Sequence, residues 1–172
     1  MVSIRINDDE KGILSVEGDL EGITLNALIG KIISKHIRWD RFAREIDSVS
    51  ISKKLLTFLL DSLDTDEFDQ ICRVNSIMSL KDAILFSKGK FTFENFLSVF
   101  DMWLDSSNIS YRHISTNGFD RYIIKHGLGN NFSMFLNSLI EKTLYELNIS
   151  LTDVDYNPEH ISFEMDRMID IA

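Results

Sequence analysis

The sequence predicts an α+β fold, mostly helical. It has a strand and two helices at the N-terminus, a helical middle, and a C-terminal antiparallel sheet with helices on one side. Three observations predict this. Residues 1–6 alternate, with Val2, Ile4 and Ile6 on one face and Met1, Ser3 and Arg5 on the other, the period of a half-buried strand. Capped apolar stripes at helical spacing fill residues 24–104, and the only proline, Pro158, lies far beyond them, so no ring interrupts a helix. Asn117-Gly118 then separates two β-prone runs, and this dipeptide accepts the positive dihedrals of a tight hairpin turn. At 172 residues the chain is long enough for one domain or two small ones. The pattern divides it into a segment 1–47 and a helical and α+β region 48–172.

The elements follow in order. Two readings are open for residues 7–21. Asn7 followed by Asp8, Asp9 and Glu10 suits a helix start, whereas Gly18-Asp19 suits a hairpin turn. The helix is favoured, although Gly12 and Gly18 each cost it about 1 kcal/mol against alanine. From Thr24 a helix runs to about residue 37, with Leu25, Leu28, Ile29, Ile32, Ile33 and Ile37 as its apolar stripe. A short helical turn follows at 39–42 and ends near Asp47.

In the middle, Ser50 or Ser52 caps a helix carrying Leu55, Leu56, Leu59, Leu60 and Leu63. Thr65-Asp66-Glu67 opens a second, with Phe68, Ile71, Val74 and Ile77 or Met78 on its face, and Leu80, Ala83, Ile84 and Phe86 form a third, short piece. Ser87 to Lys90 breaks it. Thr92 then caps a helix with Phe93, Phe96, Leu97, Phe100 and Leu104. Phe91, Phe93, Phe96, Phe100 and Trp103 do not all fit one face of it, so part of this set is expected to line a pocket or an interface. Strands at 109–115 and 119–126 flank the Asn117-Gly118 turn. A helix with Phe132, Phe135, Leu136, Leu139, Ile140, Leu144 and Leu147 follows. Strands at 149–154 and 160–165 close the layer around Asn157-Pro158.

The run Gly22-Ile23-Thr24-Leu25-Asn26-Ala27-Leu28-Ile29, downstream of Val2-Ser3-Ile4-Arg5-Ile6, resembles the inter-helix turn and second helix of the ribbon-helix-helix family of DNA-binding proteins (the Arc/MetJ type). The resemblance covers residues 1–38. It implies a homodimer in which two N-terminal strands pair as a ribbon in the major groove of double-stranded DNA. Ser3 and Arg5 would then face the bases, Arg5 bidentate to a guanine edge. Thr24 and the backbone amides of Leu25 and Asn26 would hold a phosphate at the positive end of a helix. The chain departs from that pattern in having a single basic ribbon residue, two glycines in the first helix, and an acidic cluster near the phosphates.

The formal net charge of -9 argues against a broad nucleic-acid footprint. Lys31, Lys35, Arg38, Arg41 and Arg44 nonetheless fall close together, and phosphates sense charge over only about 8–10 Å in ordinary salt. The acidic surplus leaves a second reading open, a protein-interaction, adaptor or ligand-sensing module without DNA affinity.

Other chemistry finds little support. Asp8-Asp9-Glu10 and Asp64-Thr65-Asp66-Glu67 read as helix-start charge, and no nucleophile motif occurs, so no enzyme is expected. Gly127-Leu128-Gly129 lacks the spacing and the lysine of a phosphate loop and reads as a glycine turn. His113 and His126 facing each other across the hairpin would supply two metal ligands without a third, so neither a metal nor another cofactor is expected. Cys72, the one cysteine, sits in an apolar helical context and reads as a buried thiol. No run approaches the ~20 apolar residues of a membrane span. No basic segment leads into an apolar stretch near Met1, so a cytoplasmic location is expected and Asn108-Ile109-Ser110, Asn131-Phe132-Ser133 and Asn148-Ile149-Ser150 are treated as chance sequons.

Overall fold

The structure is a computed structural model that describes residues 4–41, 43, 49–74, 76–116 and 118–166. The chain divides into two compact units, Met1–Glu45 and Ile46–Ala172.

In the first unit, α1 (Asp8–Glu21) precedes α2 (Leu25–Lys35), which runs on into a π-helical turn at His36–Asp40. Residues 7–21 are therefore helix, not hairpin. Asn7 and Glu10 close a reciprocal cap: the Glu10 amide donates to Asn7 Oδ1 at 2.8 Å and the Asn7 amide to Glu10 Oε2 at 3.4 Å. The stop is equally specific. Gly22 takes the left-handed conformation at φ 68°, the Ile23 amide donates to the Gly18 carbonyl at 2.9 Å, and the Gly22 amide donates to that of Asp19 at 3.2 Å. These are the two bonds of a Schellman turn.

The same turn explains one of the glycines. A Cβ at Gly18 would lie 3.0 Å from the Ile23 carbonyl oxygen, whereas one at Gly12 meets nothing within 4 Å. Gly12→Ala is thus expected to raise stability by up to about 1 kcal/mol, and Gly18→Ala to lower it. Paired thermal melts of the two variants check the opposite signs, and a stabilised Gly18→Ala would refute the close approach.

The strand expected at residues 2–6 is not part of the observed sheet. Ile4 to Ile6 are described and join no ladder, and the sheet holds only four later strands. A strand is defined by its neighbour, and the sheet of this chain already runs edge to edge without this segment. Residues 1–3, and so Val2 and Ser3, lie outside the described residues, as do residues 42 and 44–48, where the short turn beginning at Trp39 is expected to end.

The second unit begins with α3 (Lys53–Asp61), α4 (Thr65–Val74), α5 (Ser76–Lys88) and α6 (Phe93–Ser106). It continues through β1 (Ser110–Ser115), β2 (Phe119–Lys125), α7 (Asn130–Glu146), β3 (Ser150–Tyr156) and β4 (His160–Asp166). The fold is α+β, and its antiparallel sheet runs β1-β2-β4-β3. The third helix is longer than the short piece expected, because nothing between Ser76 and Lys88 stops it before Gly89, at φ 73°.

One sheet face is buried and the other wet. Tyr122, Ile124, Ile161, Phe163 and Met165 are essentially inaccessible, while Ile123, Lys125 and Asp166 face out. The alternation is that of an antiparallel sheet covered on one side. Ile84, Phe96, Phe100 and Leu104 from α5 and α6, with Leu136, Ile140 and Leu144 from α7, complete the core.

Phe93, Phe96, Phe100 and Trp103 stack in succession along one face of α6 at centroid separations of 6.3, 5.4 and 5.9 Å. Only Phe91 lies outside, because it precedes the Thr92 cap. Spacings of three, four and three residues return to the same side of a 3.6-residue helix. Phe96 and Phe100 are buried in the core, and Phe93 and Trp103 are half-buried.

Candidate functional site

The start of α2 is built by Thr24. Its hydroxyl oxygen accepts from the Ala27 amide at 3.2 Å while its carbonyl accepts from the Leu28 amide at 2.9 Å. Leu25 and Asn26 are the first two helical residues, whose amides cannot bond within the helix. Thr24 and Asn26 are exposed and Leu25 half-buried. Three of the five residues expected to contact DNA therefore meet at one helix end. Arg5 is exposed, outside any helix or ladder. Ser3 lies outside the described residues.

Charge in this unit is segregated. Residues 1–45 hold seven Lys or Arg and eight Asp or Glu, so nearly all of the surplus of -9 belongs to residues 46–172. Six of those eight acids lie at residues 8–21, and five of the seven bases at 31–44. One of the bases is spoken for: Lys31 Nζ sits 2.6 Å from Glu21 Oε2, bridging α2 to the end of α1. Arg38 and Arg41 remain exposed.

The unit buries little by itself. Among its described residues only Leu28 and Gly18 are buried, while Ile13, Val16 and Leu20 of α1, and Ile32, Ile33 and Ile37 after the turn, are exposed. Ile13, Val16 and Leu20 recur at helical spacing, and a contiguous apolar stripe of this kind marks an interaction surface. A segment this close to about 40 residues usually needs a staple or a second chain to complete its core.

In the second unit two polar networks stand inside the fold. The first joins α6 to the hairpin. Tyr122 donates its hydroxyl proton to Asp101 Oδ1 at 2.6 Å, His113 Nδ1 lies 3.1 Å from the same hydroxyl, and His113 Nε2 lies 2.8 Å from Asp120 Oδ1. The imidazole stacks on the phenol at 4.2 Å. Burial first, and then the hydrogen bond from its hydroxyl to Asp101, push the Tyr122 phenol far above its usual range. Burial, with Asp101 and Asp105 adding to it, pushes Tyr111 up to about 12. Both phenols stay neutral at physiological pH and offer no base.

The register also corrects the expected histidine pair. His113 stands opposite Tyr122 in the β1–β2 ladder, and His126 lies beyond the end of β2. A hairpin closing on Thr116 and Phe119 assigns partners by counting outward from that pair, which reaches Tyr122 for His113. No cluster of three or more His, Cys, Asp or Glu able to hold a metal exists among the described residues.

The second network ties His126 to Ser133. His126 Nδ1 accepts from the Leu128 amide at 3.0 Å, so its proton sits on Nε2, 2.9 Å from Ser133 Oγ. Ser133 in turn donates to the Asn157 carbonyl at 2.7 Å. A base that activates serine must accept the hydroxyl proton. Here the imidazole donates, so the pair is a strap between the β2–α7 loop and the β3–β4 turn. The glycine turn next to it is likewise spent on structure. The Gly127 and Gly129 amides donate to the Glu159 and Pro158 carbonyls, and both glycines have positive φ. Those amides are not available to cradle a phosphate.

Cys72 is buried in α4. No helix among the described residues is long and apolar enough to cross a membrane. Compared with known proteins, the chain matches no protein-family model and no curated protein, which leaves its own residues to carry a functional assignment.

Proposed function

We propose that this protein is a sequence-specific DNA-binding transcriptional regulator that acts as a homodimer through an N-terminal β-ribbon. The observation that carries the reading is the incomplete state of residues 4–40. A capped helix hairpin leaves an apolar stripe on both helices uncovered and an N-terminal segment without a strand partner. A second copy answers both needs, pairing the two segments antiparallel and covering the stripe. Ser3 and Arg5 then project from the ribbon toward base edges, and the Thr24 hydroxyl with the Leu25 and Asn26 amides receives a phosphate. The near balance of charge in residues 1–45 supports this, because the acidic surplus lies in the other unit.

The test is fluorescence anisotropy on duplexes selected from a random pool, with a salt titration. Affinity is expected to rise as salt falls, and Arg5→Ala to cost about 1–3 kcal/mol of sequence discrimination. Absence of binding at low salt would refute the proposal. A second reading, an acidic protein-interaction module, draws on exposed Leu55, Phe58 and Leu59 of α3 in a unit with nineteen acidic and eleven basic side chains. It predicts no DNA binding and loss of a captured protein partner on Phe58→Glu.

A further inference from the structure

The two edges of the C-terminal sheet are built differently. β3 carries a register break between Thr152 and Asp155, with Asp153 in the left-handed region at φ 47°. Asp153 and Asp155 are both exposed there. A bulge and outward charge are the standard means of stopping an edge from pairing with another chain. β1 has neither. Its six residues keep unbroken register with β2, it contains no proline, and its one formal charge is Arg112. Among the described residues no strand lies on its other side.

The direction of its backbone groups follows from the turn. The Thr116 amide donates to the Phe119 carbonyl at 3.0 Å, which makes those two a hydrogen-bonded pair. Such pairs alternate along an antiparallel ladder. Ile114, Arg112 and Ser110 therefore bond β2, while the amides and carbonyls of Tyr111 and His113 point away from it, along the free edge.

We propose that the free edge of β1 pairs antiparallel with β1 of a second copy, joining two four-stranded sheets into one across a two-fold axis. The β3 bulge disfavours the alternative β1–β3 contact, which would be head-to-tail and need not close. Directly opposed residues in an antiparallel pair share a sheet face, so the axis must pass through a residue. Centred on Arg112 it would oppose like charges. Centred on Tyr111 or His113 it sets Arg112 against Ser110 or Ile114, so a two-fold contact without charge conflict exists. Where the N-terminal ribbon also forms, on the reading proposed above, the second β1 is supplied at high effective concentration.

The experiment separates the two contacts. In the full chain, Ile4→Pro with Ile6→Pro blocks the ribbon and leaves β1 untouched; circular dichroism checks the fold. The variant is expected to retain the mass of two chains, each 19.8 kDa, by light scattering. Its Tyr111 and His113 amides should exchange about tenfold or more slower than in chain diluted to monomer. A variant with the mass of one chain at every concentration would overturn the proposal, and so would a dimer in which those two amides exchange no slower. A dimeric parent with a monomeric ribbon variant removes the β1 contact and keeps the ribbon. A dimeric ribbon variant beside a parent chain that binds no DNA keeps the β1 contact and removes the ribbon.

Discussion

Lowering the pH from about 7 to about 4 is expected to remove about 3 kcal/mol of stability through His126 alone. His126 is 2% exposed, and its Nδ1 accepts from the Leu128 amide. Burial pulls its pKa from 6.5 down to about 4; Lys53 and His160 act in the same direction and Glu159 opposes them. The folded value lies below the unfolded one, so the unfolded chain takes up the proton first. The contribution is whole above about pH 6.5 and is lost as pH falls toward 4. Protonation also sets two donors face to face, Nδ1–H against the Leu128 amide, which opens the loop before α7. Urea midpoints measured across this window check it. His126→Asn should flatten the slope, and an unchanged slope in that variant would refute the assignment.

Phe100→Ala is expected to be among the most damaging single changes, at about 3–5 kcal/mol. Phe100 is fully buried and stands where the layers meet. It stacks on Phe96 within α6 and meets Tyr122 of β2 edge-on at 5.4 Å and Phe163 of β4 at 6.5 Å. Its removal opens a cavity lined by rings that cannot close on it, because Tyr122 is pinned by Asp101. The loss should appear as a lower urea midpoint with an unchanged slope. Phe100→Leu, which keeps most of the volume, should cost markedly less; equal losses would mean that volume is not the cause.

The two effects show what each kind of interaction contributes. The aromatic ladder sets how tightly α6 holds the sheet. The strap at His126 sets a pH range, because its geometry is satisfied by one protonation state only. Neither is the proposed DNA contact, which rests on a different unit with almost no core of its own.

Much of the architecture was legible in the residues. Asn7 with Glu10, Thr24, Ser52 and Thr92 cap the helices expected of them, because a cap is a local hydrogen bond within four residues. The two strands that close on Thr116 and Phe119 lie as expected for the same reason: turn chemistry is local. Gly22 as a helix stop was legible too, since only its positive φ is needed. Thr24, Leu25 and Asn26 cluster because they are consecutive, so their proximity needed no tertiary information.

What the chain could not disclose locally was decided by packing. Gly18 suits a helix or a hairpin turn by composition, and its burial in the helix comes from the Ile23 carbonyl, which folds back over it. His113 belongs with Tyr122, Asp101 and Asp120 rather than with His126, and one of those partners comes from α6. The turn position implies the Tyr122 pairing, but no periodicity in the sequence brings Asp101 to it. The sequence alone determined where most helices start, because a cap depends on bonds between near neighbours. Only the tertiary structure decided which histidine is buried neutral, which sheet edge is left unguarded, and which apolar stripe stays uncovered. Those depend on what a distant segment covers, and burial is a property of the whole fold.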